Sequence, residues 1–226
     1  GKVERFVGKT CILGLGYGMG AVKFRNTLAL GQGGISVDID ENEAERIVRL
    51  YRQKNHKIVA LWNKCGHALT GMVAGGAGTI TPLLPYDAQG ITLPNGLRIK
   101  YAGLRSTADG FDYISDARTF RKIAKARVTT GEQSDIDRTR IYGGKVTENI
   151  VQALARIDVS EQMAAVGRKY HVAFQVHDEI IISCLEDEKA NAQEFVETKM
   201  STPPSWALDL PVACESGTGY NYGDAK

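Results

Sequence analysis

Arg5, Lys9, Leu13 and Tyr17 stand four residues apart in the stretch RFVGKTCILGLGYGMG, residues 5–20. On a helix this spacing draws one slowly turning stripe, because four residues slightly overshoot a turn of 3.6. Two cations at one end of such a stripe suit a polyphosphate. Leu13 and Tyr17 then lie further along, where the sugar and base of a nucleotide would fall. Familiar phosphate loops do not account for these residues. A G-x-x-x-x-G-K-[ST] loop ending in Gly8-Lys9-Thr10 needs glycine at position 3, which is Val3. A G-x-G-x-x-G loop built on Gly14 and Gly16 needs glycine at position 19, which is Met19. The competing explanation is a glycine-rich helix end with two solvated cations. Gly14, Gly16 and Gly18 each weaken a helix by about 1 kcal/mol relative to alanine. Tertiary contacts must therefore hold this helix, and its C-terminal end is expected to unwind.

A second group with chemical potential is His177-Asp178-Glu179. It lies between the apolar arms Val172 to Val176 and Ile180 to Cys184, each of strand length. The expected arrangement is a hairpin between buried strands, with the acids at a tip that water and metal can reach. Packing gives no reason for Asp and Glu at that place. A cationic stripe for a triphosphate and a carboxylate on a β-turn for magnesium are together the equipment of nucleotidyl transfer. There, metals clamp the attacking and leaving oxygens while cations hold the pyrophosphate.

The elements that must position these groups follow from periodicity and turn chemistry. Residues 5–16 read as helix, followed by a glycine-rich bend. Residues 38–72 read as one longer helix, with acidic capping candidates before it and Ala44, Ile47, Val48, Tyr51, Ile58, Leu61 and Trp62 at helical spacing. The Gly- and Pro-rich stretch 73–90 marks a change of organisation. Residues 91–105 predict a β-hairpin turning at Asn95-Gly96. A basic, weakly periodic segment, 106–140, precedes a helix at 149–170. Residues 188–200 predict a helix packing back on the hairpin, and the remainder a final strand and an irregular tail.

The chain of 226 residues can bury a core and form one or two domains. With 43% hydrophobic and 24% charged residues it has the composition of a globular protein, and no apolar run reaches the roughly 20 residues of a membrane span. No partnership with a membrane is expected. The chain opens Gly-Lys-Val-Glu-Arg, without a signal peptide and without Met. A processed, split or truncated product is the expectation from that start. Cys11, Cys65, Cys184 and Cys214 are scattered, with no C-x-x-C, which fits a reducing, cytoplasmic compartment rather than a disulfide framework or zinc site. The formal charge of +2 does not announce nucleic-acid binding. Its distribution is more suggestive, with eleven cations from Arg98 to Lys145, among them Arg118, Arg121, Lys122, Lys125, Arg127 and Arg138. On composition alone an ordinary charged surface explains these better.

The two motifs resemble those of family A DNA polymerases, the group of bacterial DNA polymerase I and many phage replicases. Arg5-x3-Lys9-x7-Tyr17-Gly18 matches that family's fingers motif at every fixed position, and VHDEI (176–180) matches its palm motif. Between them YGGKVTENIVQALAR (142–156) looks like the family's Gln-bearing palm helix. LPNGLRIKY, EFVETKM and WALDLPV are similar to phage-type members. The resemblance implies an α+β fold: helical fingers, residues 1–90, and a palm of antiparallel β-sheet with packed helices, residues 91–226. Together these would form the C-terminal part of a right-hand polymerase.

The implied roles follow residue by residue. Arg5 and Lys9 would bind the triphosphate of the incoming dNTP, and Lys9 would donate a proton to the departing pyrophosphate. Tyr17 and Gly18 would sit near the templating nucleotide. Asp178 would be a ligand of magnesium, with Glu179 a weaker helper and His177 positioning the primer end. Gln152, with Asn149, would read minor-groove acceptors of the primer–template DNA. Two departures matter. Leu13 stands where the family most often has Phe or Tyr, and the family's first catalytic aspartate has no counterpart in these 226 residues. The implied cofactor is therefore a pair of Mg2+ ions whose second carboxylate comes from outside this chain. The implied partner is a second polypeptide or upstream segment that carries it, with the thumb and the proofreading exonuclease. The setting implied is a bacterial or phage-infected cell.

Three other functions compete. A single-subunit RNA polymerase shares the Arg/Lys/Tyr helix, but its palm turn typically reads His-Asp-Ser, so Glu179 favours DNA synthesis. A non-catalytic DNA-clamping subunit is compatible with the missing aspartate. A zinc deaminase is a poor fit, because no P-C-x-x-C follows His177-x-Glu179.

Overall fold

A computed structural model of the chain describes residues 1–114 and 138–225. It divides into two compact units, Gly1–Ile150 and Val151–Lys226. In unit 1, helix α1 (Lys2–Thr10) continues as a π-helical turn, Cys11–Leu15, before the chain bends through residues 16–18. Helices α2 (Ala21–Leu30) and α3 (Glu41–Lys54) pack around it. Leu15, Phe24, Leu28, Ala44 and Val48 form the buried centre of this helical group, with Phe6, Val7 and Cys11 against it. These apolar contacts supply the stability that three glycines withhold. Asp40 caps α3, its Oδ1 accepting from the Glu43 amide at 2.7 Å, as the acidic run before the helix suggested.

The single helix expected over 38–72 is in fact two. Helix α4 (His56–Val73) begins anew after Asn55. The Asn55 side-chain amide donates to Tyr51 O at 2.9 Å, the same carbonyl that its backbone N–H uses. Asparagine competes for helix backbone groups in this way, and a helical periodicity count does not register it. Helix α4 buries Cys65, Ala68, Leu69 and Met72, one face at helical spacing, and packs on the sheet that follows.

That sheet begins inside the Gly- and Pro-rich stretch. Strands β1 (Gly78–Thr81), β2 (Leu84–Asp87), β3 (Gly90–Thr92) and β4 (Arg98–Ile99) form an antiparallel meander in sequence order. The turn expected at Asn95-Gly96 is present, with the Leu97 amide on Asn95 Oδ1 at 3.1 Å. The hairpin closes at Ile99 rather than at residue 105. Strands β5 (Arg105–Thr107), β6 (Gly110–Ile114) and β7 (Arg138–Ile141) make a second antiparallel sheet. Arg118, Arg121, Lys122, Lys125 and Arg127 lie outside the described residues. Several cations of the basic run that are described pair with acids. Arg98 pairs with Asp87, Arg105 and Arg138 with Asp112, and Lys145 with Glu148. The Arg105 hydrogen bond, joined by that of Arg138, holds the Asp112 carboxyl below its usual range. Three carboxylates thus partly offset the described cations of the basic run.

Helix α5 (Gly143–Val166) starts earlier than the expected residue 149, and the division between the units falls inside it. In unit 2, strands β8 (His171–Val176) and β9 (Glu179–Ser183) form the expected hairpin, and helix α6 (Lys189–Met200) follows. Val172, Ile180 and Ile182 pack on Val166, Val196 and Met200. The hairpin is half-buried rather than buried, since Phe174 on its other face is 45% exposed. The expected final strand is absent from residues 203–225. Pro203, Pro204 and Pro211 lack the N–H a ladder needs, and backbone bonds there stay local, as from Ala207 to Pro204 and from Leu210 to Ala207. No helix of the described residues is long and apolar enough to cross a membrane.

One half-buried acid in unit 2 makes a prediction about stability. Asp158 Oδ1 is buried with no hydrogen-bond partner among the described residues. Burial, with a smaller contribution from the Glu161 charge, pushes the Asp158 carboxyl up. A carboxyl raised in the fold favours the folded state while protonated. That stability is fully present below the unfolded pKa and is lost as pH rises through the folded one. Asp158→Asn has no charge to bury. Its melting temperature should exceed the wild type's at neutral pH, with the advantage shrinking toward acid. An advantage that does not vary with pH in thermal melts would contradict this assignment.

Candidate functional site

The outward stripe on the first helix keeps the solvent side as expected. Arg5, Lys9 and Leu13 are exposed, Leu13 by 56%, and Tyr17 is half-buried. The inward residues Val7, Cys11 and Leu15 also recur every four positions and pack on the core. In a pure α-helix each four-residue step overshoots a turn by about 40°, so both stripes would drift off their faces. The π-helical turn at Cys11–Leu15, with its i→i+5 bonding, advances less per residue and turns both stripes back. A plain helix was the expectation over 5–16. The strict period of four on two faces at once was the sequence signal for the π turn. Burial pushes the Cys11 thiol up, consistent with its inward place.

Contacts at the helix end hold Tyr17 and Gly18. Trp62 Nε1 donates to Gly16 O at 3.0 Å. Gly18 adopts φ +85°, a left-handed conformation that glycine enters without strain. Two further glycines shape this end, and the sequence reading missed their role. A Cβ on Gly144 would overlap the Tyr17 carbonyl, and one on Gly143 the Trp62 carbonyl. Only glycine lets the start of α5 seat this closely against the Tyr17 turn and α4. Two glycines opening a helix despite their poor propensity were the available signal. Beside them opens a cleft of about 480 Å³, lined by Gly18, Arg52, Trp62, Asn63, His67 and Tyr142 among others.

Further along α5, the Asn149 amide donates to the Tyr101 hydroxyl at 3.1 Å. Tyr101 is buried, and burial drives its hydroxyl pKa well up, partly offset by this bond. Asn149 is thus fixed in orientation. Gln152 follows three residues later, near the same face of the helix, and is exposed.

In unit 2 the tip of the β8–β9 hairpin is a two-residue turn, His177-Asp178, between the paired Val176 and Glu179. His177 has φ +53°, the one non-glycine residue at positive φ among those described. A positive φ at the first turn position is the pattern of a type II′ turn, which glycine normally fills. A histidine there costs roughly 1–3 kcal/mol and persists only where its surroundings hold it. Part of that hold is Gln175, whose Nε2 donates to His177 O at 2.7 Å. The side chains of His177, Asp178 and Glu179 are exposed. Glu179 Oε2 accepts from the Tyr222 hydroxyl at 2.8 Å, a contact that sequence reasoning did not find.

Carboxylate oxygens are hard donors, and magnesium is usually held by one or two of them together with substrate phosphates and waters. Asp178 and Glu179 fit that donor set. No group of three or more His, Cys, Asp or Glu that could hold a metal occurs among the described residues. Arg5, Lys9, Leu13, Tyr17, Gly18 and Asn149 belong to unit 1, and Gln152, His177, Asp178 and Glu179 to unit 2.

No family model and no solved structure matches the chain. It is similar to the DNA polymerase of Bacillus phage SP02, at 29% identity over 223 residues. The alignment covers 95% of this chain, and so runs through both units, but 32% of the phage protein. The chain thus spans about a third of the length of the curated relative it matches. That similarity supports a relationship to DNA polymerases.

Proposed function

We propose that this chain is the nucleotide-binding and metal-carboxylate part of a DNA-directed DNA polymerase of family A, with fingers in residues 1–90 and palm in 91–226. The observation that carries it is the stripe of Arg5, Lys9 and Leu13. These residues stay exposed on one face through a π turn while Val7, Cys11 and Leu15 pack inward. Similarity to a phage DNA polymerase supports the same reading. Arg5 and Lys9 bind the triphosphate of the incoming dNTP, and Lys9 gives a proton to the leaving pyrophosphate. Tyr17 and Gly18 border the templating position, and Asn149 and Gln152 contact the primer–template. His177 orients the primer end, Asp178 holds magnesium, and Glu179 supports it. When bound, a pair of magnesium ions supplies charge stabilisation to the phosphoryl oxygens. The second carboxylate comes from a polypeptide or segment outside these 226 residues, which also brings the thumb.

Lys9 and Arg5 separate binding from chemistry. Lys9→Ala should slow incorporation about 10²-fold, the usual effect of removing one donor aimed at developing charge. Arg5→Ala should chiefly raise the KM for dNTP. Both side chains are exposed, so neither substitution should shift the melting temperature. Single-turnover kinetics on primed DNA with an added polypeptide supplying the remaining polymerase parts read both effects. A large fall in melting temperature for either variant would assign these cations to structure instead.

A further inference from the structure

The C-terminal tail is anchored at both ends of unit 2's hairpin assembly. At its base, the Cys214 amide donates to Ser201 Oγ at 3.1 Å, and Ser216 Oγ donates to Glu197 Oε1 of α6 at 2.5 Å. The tail then folds back on itself. Asn221 Oδ1 accepts from the Gly223 and Asp224 amides at 3.0 and 3.2 Å, and a Cβ on Gly217 would overlap the Ala225 carbonyl. This closed loop presents Tyr222 to the hairpin. Its ring meets Phe174 edge-on, with centroids 5.6 Å apart at 73°, and its hydroxyl donates to Glu179 Oε2.

We propose that Tyr222 is a positioning residue for nucleotidyl transfer, bracing Glu179 and, through the two-residue turn, Asp178. The inference rests on the polymerase proposal above. The turn needs such a brace because His177 sits in a conformation that the local backbone does not favour. Gln175 ties the turn from within β8, and Tyr222 ties its far side from the tail. The Phe174 contact limits where the Tyr222 ring can go, so the hydroxyl delivers one fixed bond to one carboxylate oxygen. An ionised carboxylate is acceptor-only, and a donor at fixed distance sets its rotamer.

Tyr222→Phe keeps the ring contact and removes only the donor. In the assembled polymerase, kcat should fall about tenfold, the lower end for loss of a group that orients a metal carboxylate. KM for dNTP and the melting temperature should be unchanged, because the triphosphate grip is on another element. Amides of residues 176–180 should exchange with solvent faster in the variant. On a Glu179→Ala background the same substitution should add little, since the acceptor of the bond it removes is already gone. Full kcat in Tyr222→Phe, or effects that multiply in the double variant, would overturn the proposal. A wild-type assembly without activity would refute the polymerase proposal instead. Amide exchange then decides the brace alone, and unchanged exchange in Tyr222→Phe would overturn it.

Discussion

Asp178→Asn should leave the assembled enzyme's DNA affinity intact and remove nearly all of its turnover. The substitution keeps the side chain's shape at an exposed hairpin tip, so the fold has nothing to lose there. It removes the negative charge that, in the proposed polymerase, would hold a divalent cation, and metal stabilisation of transition-state charge is worth several kcal/mol. Each 1.36 kcal/mol is a factor of ten, so the loss should be about 10²-fold or more. Glu179→Gln should be milder, because an amide still accepts the Tyr222 hydrogen bond. Primer extension under single-turnover conditions, with DNA binding measured in parallel, reads both. Retention of more than about a tenth of the rate by Asp178→Asn would mean that this carboxylate is not a metal ligand.

Leu13→Tyr should relax discrimination against dideoxynucleotides by about tenfold or more. Leu13 lies one turn beyond Lys9 and is exposed on the same side, so in the proposed polymerase it would approach the sugar while Lys9 held the phosphates. In the family that this motif resembles, a tyrosine here supplies its hydroxyl where the 3′-OH is missing. Leucine supplies none, and an unsatisfied acceptor on the nucleotide costs roughly 1–3 kcal/mol. The lower half of that range already gives tenfold. The readout is the ratio of incorporation efficiencies for deoxy- and dideoxynucleotide on one primed template. An unchanged ratio would place residue 13 away from the sugar and remove the basis for aligning this helix with a nucleotide.

The parts of the fold legible in the sequence were those governed by local chemistry. The apolar arms around His177-Asp178-Glu179 produced the β8–β9 hairpin, Asn95-Gly96 the turn between β3 and β4, and Asp40 the cap of α3. What stayed hidden depended on competition between neighbours. The helix broke at Asn55, whose side chain adds a second bond to the Tyr51 carbonyl. Strands β1 and β2 formed in a Gly- and Pro-rich stretch because α4 offered them an apolar face. In the site, the exposed cations and the hairpin acids could be named from spacing and type. The roles of Gly143, Gly144 and Tyr222 could not, because they come from contacts with residues 43 to 127 positions away, between Tyr222 and Glu179 and between Gly144 and Tyr17.

Single-nucleotide extension on four primed templates that differ only in the next templating base tests the central claim most directly. The reaction would contain this chain, magnesium, and a polypeptide supplying the missing palm aspartate and thumb. The account predicts that each template directs incorporation of its complementary deoxynucleotide, that ribonucleotides are rejected, and that omitting either polypeptide abolishes the product. Extension that does not depend on this chain, or that ignores the template base, would contradict it.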